Sequence, residues 1–295
     1  MARRLGVHTS IAGGLAKGLE RARALGCSTL QIFSHNPRSW SLTDIPEEEA
    51  RLFRSMREKL GLDPVFIHAC YLINLSSSNA ATRGKSIWML AEELRRADRI
   101  GADYVIVHAG WPAAESSGGG PGYEALVQSI RTVLGKGRRK FRASLLLENT
   151  ALPLQALLQA APVAASVKAL SAAAAGSGAA GLCLDTCHAF ASGYDIRTAE
   201  GIREIARQTE GVKIGLIHLN DSKGAIGSGL DRHEHLGAGR IGMEGLGRFL
   251  RHASFRRQPV VLETPKKKES DDPMNIENAR MILANNRSKK GIVSF

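Results

Sequence analysis

The stretch from 104 to 148 opens on Tyr104-Val105-Ile106-Val107-His108 and closes on Leu145-Leu146-Leu147-Glu148. Each end is a short apolar run finished by one side chain able to ligate a metal, and the two ligands stand 40 residues apart. An apolar run of this length reads as a strand buried on both faces, the kind found in parallel sheets. Forty residues hold one strand, one crossover helix and two loops. Working outward, the same unit recurs in both directions. The apolar runs are Leu5–Val7, Thr29–Phe33, Val65–His68, Tyr104–His108, Leu145–Glu148, Leu182–Asp185, Ile214–Leu219 and Val260–Glu263. Helix-like stretches lie between them, among them Ala12–Ala24, Glu47–Leu60, Lys85–Arg99 and Ala199–Gln208. Eight strands alternating with helices predict an α/β fold, a single (β/α)8 TIM barrel over residues 1–295 with its active site at the C-terminal face of the strands. An open doubly wound sheet is the competing architecture, but no G-x-G-x-x-G follows the first strand to support it.

Two stretches read as insertions on this plan. Trp111–Gly122 is rich in Gly, Ser and Pro and reads as a loop, and Gln159–Ala180 is alanine-rich and reads as a long helix. At 295 residues the chain can bury a large core. No run of about 18 apolar residues is present, so no membrane-spanning segment is expected. The N-terminus lacks the apolar core of a secretory signal, which points to the cytoplasm, with a short organellar signal as the open alternative. The four cysteines form no C-x-x-C pair, and reduced thiols are expected. A net charge of +12 favours a polyanionic partner, because neutralising phosphates releases counterions.

The ends of the runs carry the chemistry. His68, His108, Glu148, Asp185, His218 and Glu263 each finish one, at successive separations of 40, 40, 37, 33 and 45 residues. In a barrel all six would point into one mouth. An apolar strand that delivers a carboxylate or imidazole to its end is costly unless something compensates it. Several carboxylates together would hold a proton unless a cation stood between them. A multinuclear metal site meets both requirements. Two local motifs enlarge it: Asp185-Thr186-Cys187-His188 sets His188 three residues after Asp185, and alternation in Asp231-Arg232-His233 puts Asp231 and His233 on one side. Nine candidate ligands result, too many for one tetrahedral ion, so two or three ions are implied. Imidazole with carboxylate suits zinc, with manganese or iron as alternatives. Cys183 and Cys187 read as packing residues. His8 and His235 stand near these motifs but outside the ligand set, and His35 and His252 read as surface or structural residues.

Several segments resemble the endonuclease IV family. They are Ile67-His68 with Tyr71-Leu72-Ile73-Asn74-Leu75, Leu184-Asp185-Thr186-Cys187-His188-Ala189-Phe190, His218-Leu219-Asn220-Asp221-Ser222-Lys223, Asp231-Arg232-His233-Glu234-His235-Leu236-Gly237 and Leu262-Glu263-Thr264-Pro265. The resemblance runs from Gly6 to Asn278. It implies a zinc-dependent DNA repair endonuclease that cuts duplex DNA 5′ to abasic sites, leaving a 3′-hydroxyl and a 5′-deoxyribose phosphate, and that trims blocked 3′ ends. It implies three zinc ions: one on His68, His108 and Glu148, a second on Glu148, Asp185, His218 and Glu263, a third on His188, Asp231 and His233. Glu148, as the bridge, and Glu263 are the residues assigned to catalysis. Arg38, Tyr71 and Leu72 are implied to contact the DNA and fill the gap left by the missing base, and a monomer is expected to leave the mouth open to the duplex. Ala109 replaces an expected proline after His108. The rival readings are a sugar isomerase or epimerase on a related metal-dependent barrel, and a damage-binding protein without catalysis.

Overall fold

The computed structural model describes residues 3–108, 121–135, 141–151 and 180–284. Eight parallel strands close into a barrel in the order β1-β10-β7-β6-β5-β4-β3-β2. They are β1 (Leu5–His8), β2 (Thr29–Phe33), β3 (Val65–His68), β4 (Tyr104–His108), β5 (Ser144–Glu148), β6 (Ala180–Asp185), β7 (Ile214–His218) and β10 (Val260–Leu262). The two remaining strands, β8 (Asp221–Ser222) and β9 (His233–Glu234), form a small antiparallel ribbon that the sequence pattern did not predict. The helices are α1 (Leu15–Ala24), α2 (Glu47–Leu60), α3 (Ala80–Ile100), α4 (Pro121–Gly135), α5 (Thr186–Ala191), α6 (Ala199–Gln208), α7 (Gly242–Arg251) and α8 (Asp271–Ala284).

Three of the eight expected strands, Thr29–Phe33, Val65–His68 and Tyr104–His108, keep their bounds, and the other five shift at one end by one or two residues. The helix expected over Ala12–Ala24 begins only at Leu15, because Gly13 and Gly14 adopt φ of 86° and 109°, outside the helical region. The helix expected from Lys85 starts earlier, at Ala80, where the Asn79 side chain accepts a hydrogen bond from Thr82 N at 3.0 Å and caps it. Of the two expected insertions, Pro121 and Gly122 open α4 and Ala180 opens β6. The rest of both stretches lies outside the described residues, as does the Ala109 departure.

Two cores hold the barrel. The larger lies between the strands and the helix ring, and the smaller fills the barrel itself. The inner one consists of Phe66, Ile106, Leu146, Cys183, Leu216 and Val261, all fully or almost fully buried. Burying one such large apolar side chain contributes about 1.5–3 kcal/mol. Gly215 makes room for this layer: a Cβ there would come within 2.7 Å of Leu146 Cδ2.

Candidate metal centre

The inner core explains where the candidate ligands stand. Strand side chains alternate between faces, so the residue two places after an inward-facing one also faces inward. Two residues beyond Phe66, Ile106, Leu146, Cys183, Leu216 and Val261 stand His68, His108, Glu148, Asp185, His218 and Glu263. The apolar layer is therefore the floor on which the polar layer rests. Strand register aligns the latter: His108 pairs with Glu148, and Asp185 pairs with His218.

Glu148 is the hub, fully buried. Its Oε2 lies 3.3 Å from His68 Nε2 and 3.6 Å from His108 Nε2, and its Oε1 lies 3.0 Å from His218 Nδ1 and 3.4 Å from His188 Nδ1. His218 Nδ1 is also 3.2 Å from Glu263 Oε2 and 4.0 Å from Asp185 Oδ2. The three remaining ligands close the far side. His188 Nε2 is 3.0 Å from Asp231 Oδ1, and His233 Nε2 is 3.4 Å from Asp185 Oδ2 and 3.5 Å from Asp231 Oδ1. All nine predicted ligands thus converge. Among the described residues, His68–His108–Glu148 and His188–Asp231–His233 each offer three ligand atoms lying within 4.8 Å of one another.

Four imidazoles spend one nitrogen on a neutral acceptor and turn the other inward. His68 donates from Nδ1 to Ala69 O at 2.7 Å, His188 from Nδ1 to Asn149 O at 2.9 Å, and His233 from Nδ1 to Glu263 O at 3.0 Å. His218 donates from Nε2 to Gln31 Oε1 at 2.7 Å. Such outer partners fix the ring orientation and turn the second nitrogen toward the carboxylates, where it can ligate a metal once it gives up its proton. His188 Nε2 and His233 Nε2 are buried and make no well-aligned hydrogen bond, each facing carboxylate oxygens instead, Asp231 Oδ1 at 3.0 Å and Asp185 Oδ2 at 3.4 Å respectively. Imidazole nitrogens gathered against carboxylate oxygens without good hydrogen-bond geometry are a donor set that a cation fits.

The charges point the same way. Burial would favour the protonated form of Glu148, yet His108, His218 and His188 hold its carboxyl well below the ordinary range. Glu263 is likewise held low, burial being outweighed by His218 and a hydrogen bond with His8. Burial lowers His188 and His218, but the nearby Asp185 for the first, and Cys183, Glu263 and Glu148 for the second, raise both well above 6.5. His108 is lowered by burial. The carboxylates therefore demand positive charge, which protonated imidazoles or cations can supply. Burial pushes the Cys183 and Cys187 thiols up to about 12, in keeping with packing roles.

The sequence reading missed the groups that hold these ligands. Asn220 donates to Asp185 Oδ2 at 2.6 Å and accepts from Glu263 N at 2.9 Å, so one amide ties two ligands together. Asn149 Oδ1 accepts from Asp185 N at 2.7 Å. Gln31 Nε2 donates to Glu263 Oε1 at 2.5 Å and lies 2.9 Å from His8 Nδ1. A signal existed for each: Asn149 and Asn220 follow a strand-end candidate ligand by one and two residues, and Gln31 is a polar residue flanked by apolar Leu30 and Ile32 within its strand. His8, set aside in the sequence reading, lies 3.3 Å from Glu263 Oε1 at the mouth. Asp231 and His233 are positioned by the β8–β9 ribbon, whose Asp221 accepts hydrogen bonds from the backbone amides of Ser222, Gly237, Gly239, Ile241 and Gly242. His235 packs away from the cluster against Asn275, and His252 against Phe255. His35 is not a surface residue: its side chain is buried against Glu93.

The cluster opens into a cavity of about 1010 Å³. Arg38 and Tyr71 line it, as do Arg232 and Lys266. Tyr71 is 57% exposed, its ring edge-on to Phe33 at 5.3 Å, and its backbone N–H donates to Pro37 O at 3.0 Å. That bond couples the loop after β3 to the loop carrying Arg38. Leu72 is placed differently: it is half-buried and packs on the hydrophobic core.

Residues 19–285 match the family described as xylose isomerase-like TIM barrel. Over 285 residues the chain is 40% identical to a probable endonuclease 4 of Methanoculleus marisnigri, covering 94% of this chain and 98% of that one. The chain belongs to the endonuclease IV family. It is 35% identical to a probable endonuclease 4 of Halothermothrix orenii, covering 93% of this chain and 98% of that one. The crystal structure of endonuclease IV from Thermus thermophilus superposes with a TM-score of 0.81 at 34% identity, over 96% of this chain and 99% of that one. A D-tagatose 3-epimerase-like protein shares the fold, with a TM-score of 0.70 at 17% identity over 98% of this chain and 100% of that one. As a member of the endonuclease IV family the chain is a hydrolytic, metal-dependent nuclease. Among the described residues, no helix is long and apolar enough to cross a membrane.

Proposed function

We propose that this protein is an apurinic/apyrimidinic endonuclease. It hydrolyses the phosphodiester 5′ to an abasic site in duplex DNA, leaving a 3′-hydroxyl and a 5′-deoxyribose phosphate, and it trims blocked 3′ ends. The observation that carries this reading is the convergence of five imidazoles and four carboxylates at one open mouth. That donor set fits three zinc ions: one on His68, His108 and Glu148, one on Glu148, Asp185, His218 and Glu263, and one on His188, Asp231 and His233. When bound, such cations lower the pKa of water and neutralise charge building on phosphoryl oxygens.

The protein's own groups do the positioning. Glu148, in reach of four imidazoles, keeps a negative charge at the centre of the cluster and sets the spacing of its neighbours. Glu263 is held ionised beside His8 and Gln31 at the edge of the cavity, where its charge adds to the negative centre of the cluster. Arg38, Arg232 and Lys266 offer positive charge to the DNA backbone around the mouth. Tyr71 projects an exposed ring that can stack in the gap of a missing base, with Leu72 packed behind it as support. A monomer leaves this mouth free for the duplex.

The test is a labelled duplex carrying one abasic-site analogue, incubated with protein before and after chelation, beside an undamaged duplex. A single cut 5′ to the lesion, lost on chelation and restored by zinc, is expected. Absence of a cut by fully metal-loaded protein would defeat the reading and direct attention to ketose epimerisation.

A further inference from the structure

Outside the nine-ligand cluster, a second group of metal-ligating side chains is buried in the wall of the same barrel. His35 follows β2, Cys70 follows β3, and Glu93 lies in the middle of α3. One ligand atom from each lies within 4.8 Å of the other two. The side chains of His35 and Glu93 are 5% and 1% exposed, and Cys70 is a free, buried thiol. A carboxylate in the buried face of a helix demands compensation. Glu93 receives it from His35 Nε2 at 2.9 Å and from the Ser34 hydroxyl at 2.6 Å. Arg96, one turn further along α3, donates instead to Ser34 Oγ at 2.8 Å and to the carbonyls of Ser34 and Thr43. The other imidazole nitrogen, His35 Nδ1, is buried without a well-aligned hydrogen bond, and the ring also lies in hydrogen-bonding reach of the Cys70 thiol.

We propose that His35, Cys70 and Glu93 form a separate cation site that takes one thiophilic divalent ion of the zinc class. Nitrogen, sulphur and carboxylate oxygen are the ligands zinc takes, and three protein ligands leave a fourth position for water. Ser34, itself anchored by Arg96, supplies the outer hydrogen bond that orients the carboxylate. His35 also lines the main cavity, which gives the ion a way in. On binding, the Cys70 thiol and the His35 imidazolium, which Cys70 and Glu93 keep protonated in spite of burial, each give up a proton to solvent. The cation then takes over from the imidazole the task of compensating Glu93. It also fastens the segment that carries Arg38 to α3 and to the loop that carries Tyr71. Neither the nine ligands nor the reaction proposed above uses these three residues.

The nine ligands include no thiolate, and this makes the proposal separable. Protein stripped of metal is loaded with Co2+, whose bond to a thiolate absorbs in the near ultraviolet where imidazole and carboxylate complexes do not. Wild type is expected to show this charge-transfer band. Cys70→Ser should lose it entirely and bind one equivalent less, while Cys183→Ser and Cys187→Ser should keep it. X-ray absorption on the zinc-loaded wild type, which needs no variant, should show a sulphur neighbour at about 2.3 Å. A fully loaded wild type with no band and no sulphur neighbour overturns the site, and so does a band that survives in Cys70→Ser. Cleavage of abasic DNA plays no part in either readout, so failure here is distinct from failure of the proposed function.

Discussion

Six of the nine candidate ligands are carried by barrel strands or the residue just after one, two by the loop and ribbon strand that follow β8, and the ninth, His188, by α5. The difference in their surroundings is large. Glu148, Asp185 and His218 are fully buried, each standing on an apolar residue two places earlier, with neighbours fixed by strand pairing. Asp231 has a side chain 52% exposed, and His233 is partly exposed. They reach the cluster because Asp221 gathers backbone amides of the glycine-rich loop that follows the ribbon. The strands supply rigid placement but bury charge. The loop supplies solvent access and lies at the rim where a large substrate must enter. Ligands of the first kind should govern whether the cluster exists at all, and those of the second kind how completely it is filled.

The sharpest way to break this contrast is Glu148→Gln. Losing the charge shared by four imidazoles should remove more than one metal equivalent. Turnover of abasic duplex should fall by well over the ~100-fold that loss of an outer partner costs. Metal analysis of the purified variant checks the first part, and a wild-type metal content would contradict the hub role. Glu263→Gln should lower turnover by orders of magnitude while leaving the Kd for abasic duplex largely intact, since Glu263 lies among the ligands and not on the exposed rim. An unchanged rate would remove Glu263 from the mechanism.

Asp231→Ala tests the loop. It should cost one metal equivalent and leave the strand-borne ions in place, so that added zinc restores part of the activity. Loss of every ion would erase the distinction between the two regions. The smallest effect is expected from Tyr71→Ala, which removes none of the nine ligands. Removing one stacking ring costs about 1–3 kcal/mol in single-strand binders. KM for the abasic duplex should therefore rise about tenfold or somewhat more, with metal content unchanged. Equal KM values would return Tyr71 to a packing role at the rim.

Much of the fold was legible because it rests on a repeat. Apolar runs ended by a ligand, spaced near one βα unit, specify both the closed barrel and the face that carries the site. Helix starts were less legible where local backbone chemistry decided them, as with the positive φ at Gly13 and Gly14 and the Asn79 cap. The ribbon of β8 and β9 escaped the pattern because two-residue strands carry no period.

The sequence alone determined which side chains face the barrel axis, because strand alternation is a local property of the chain. It thereby named His68, His108, Glu148, Asp185, His218 and Glu263 before any contact was known. The tertiary structure decided what those residues touch. Gln31 bridging His218 and Glu263, Asn220 tying Asp185 to Glu263, Leu72 turning to the core and His35 meeting Cys70 and Glu93 all join residues distant in the chain. No local period encodes such meetings. They are fixed by closure of the barrel and by the packing of α3 against its wall.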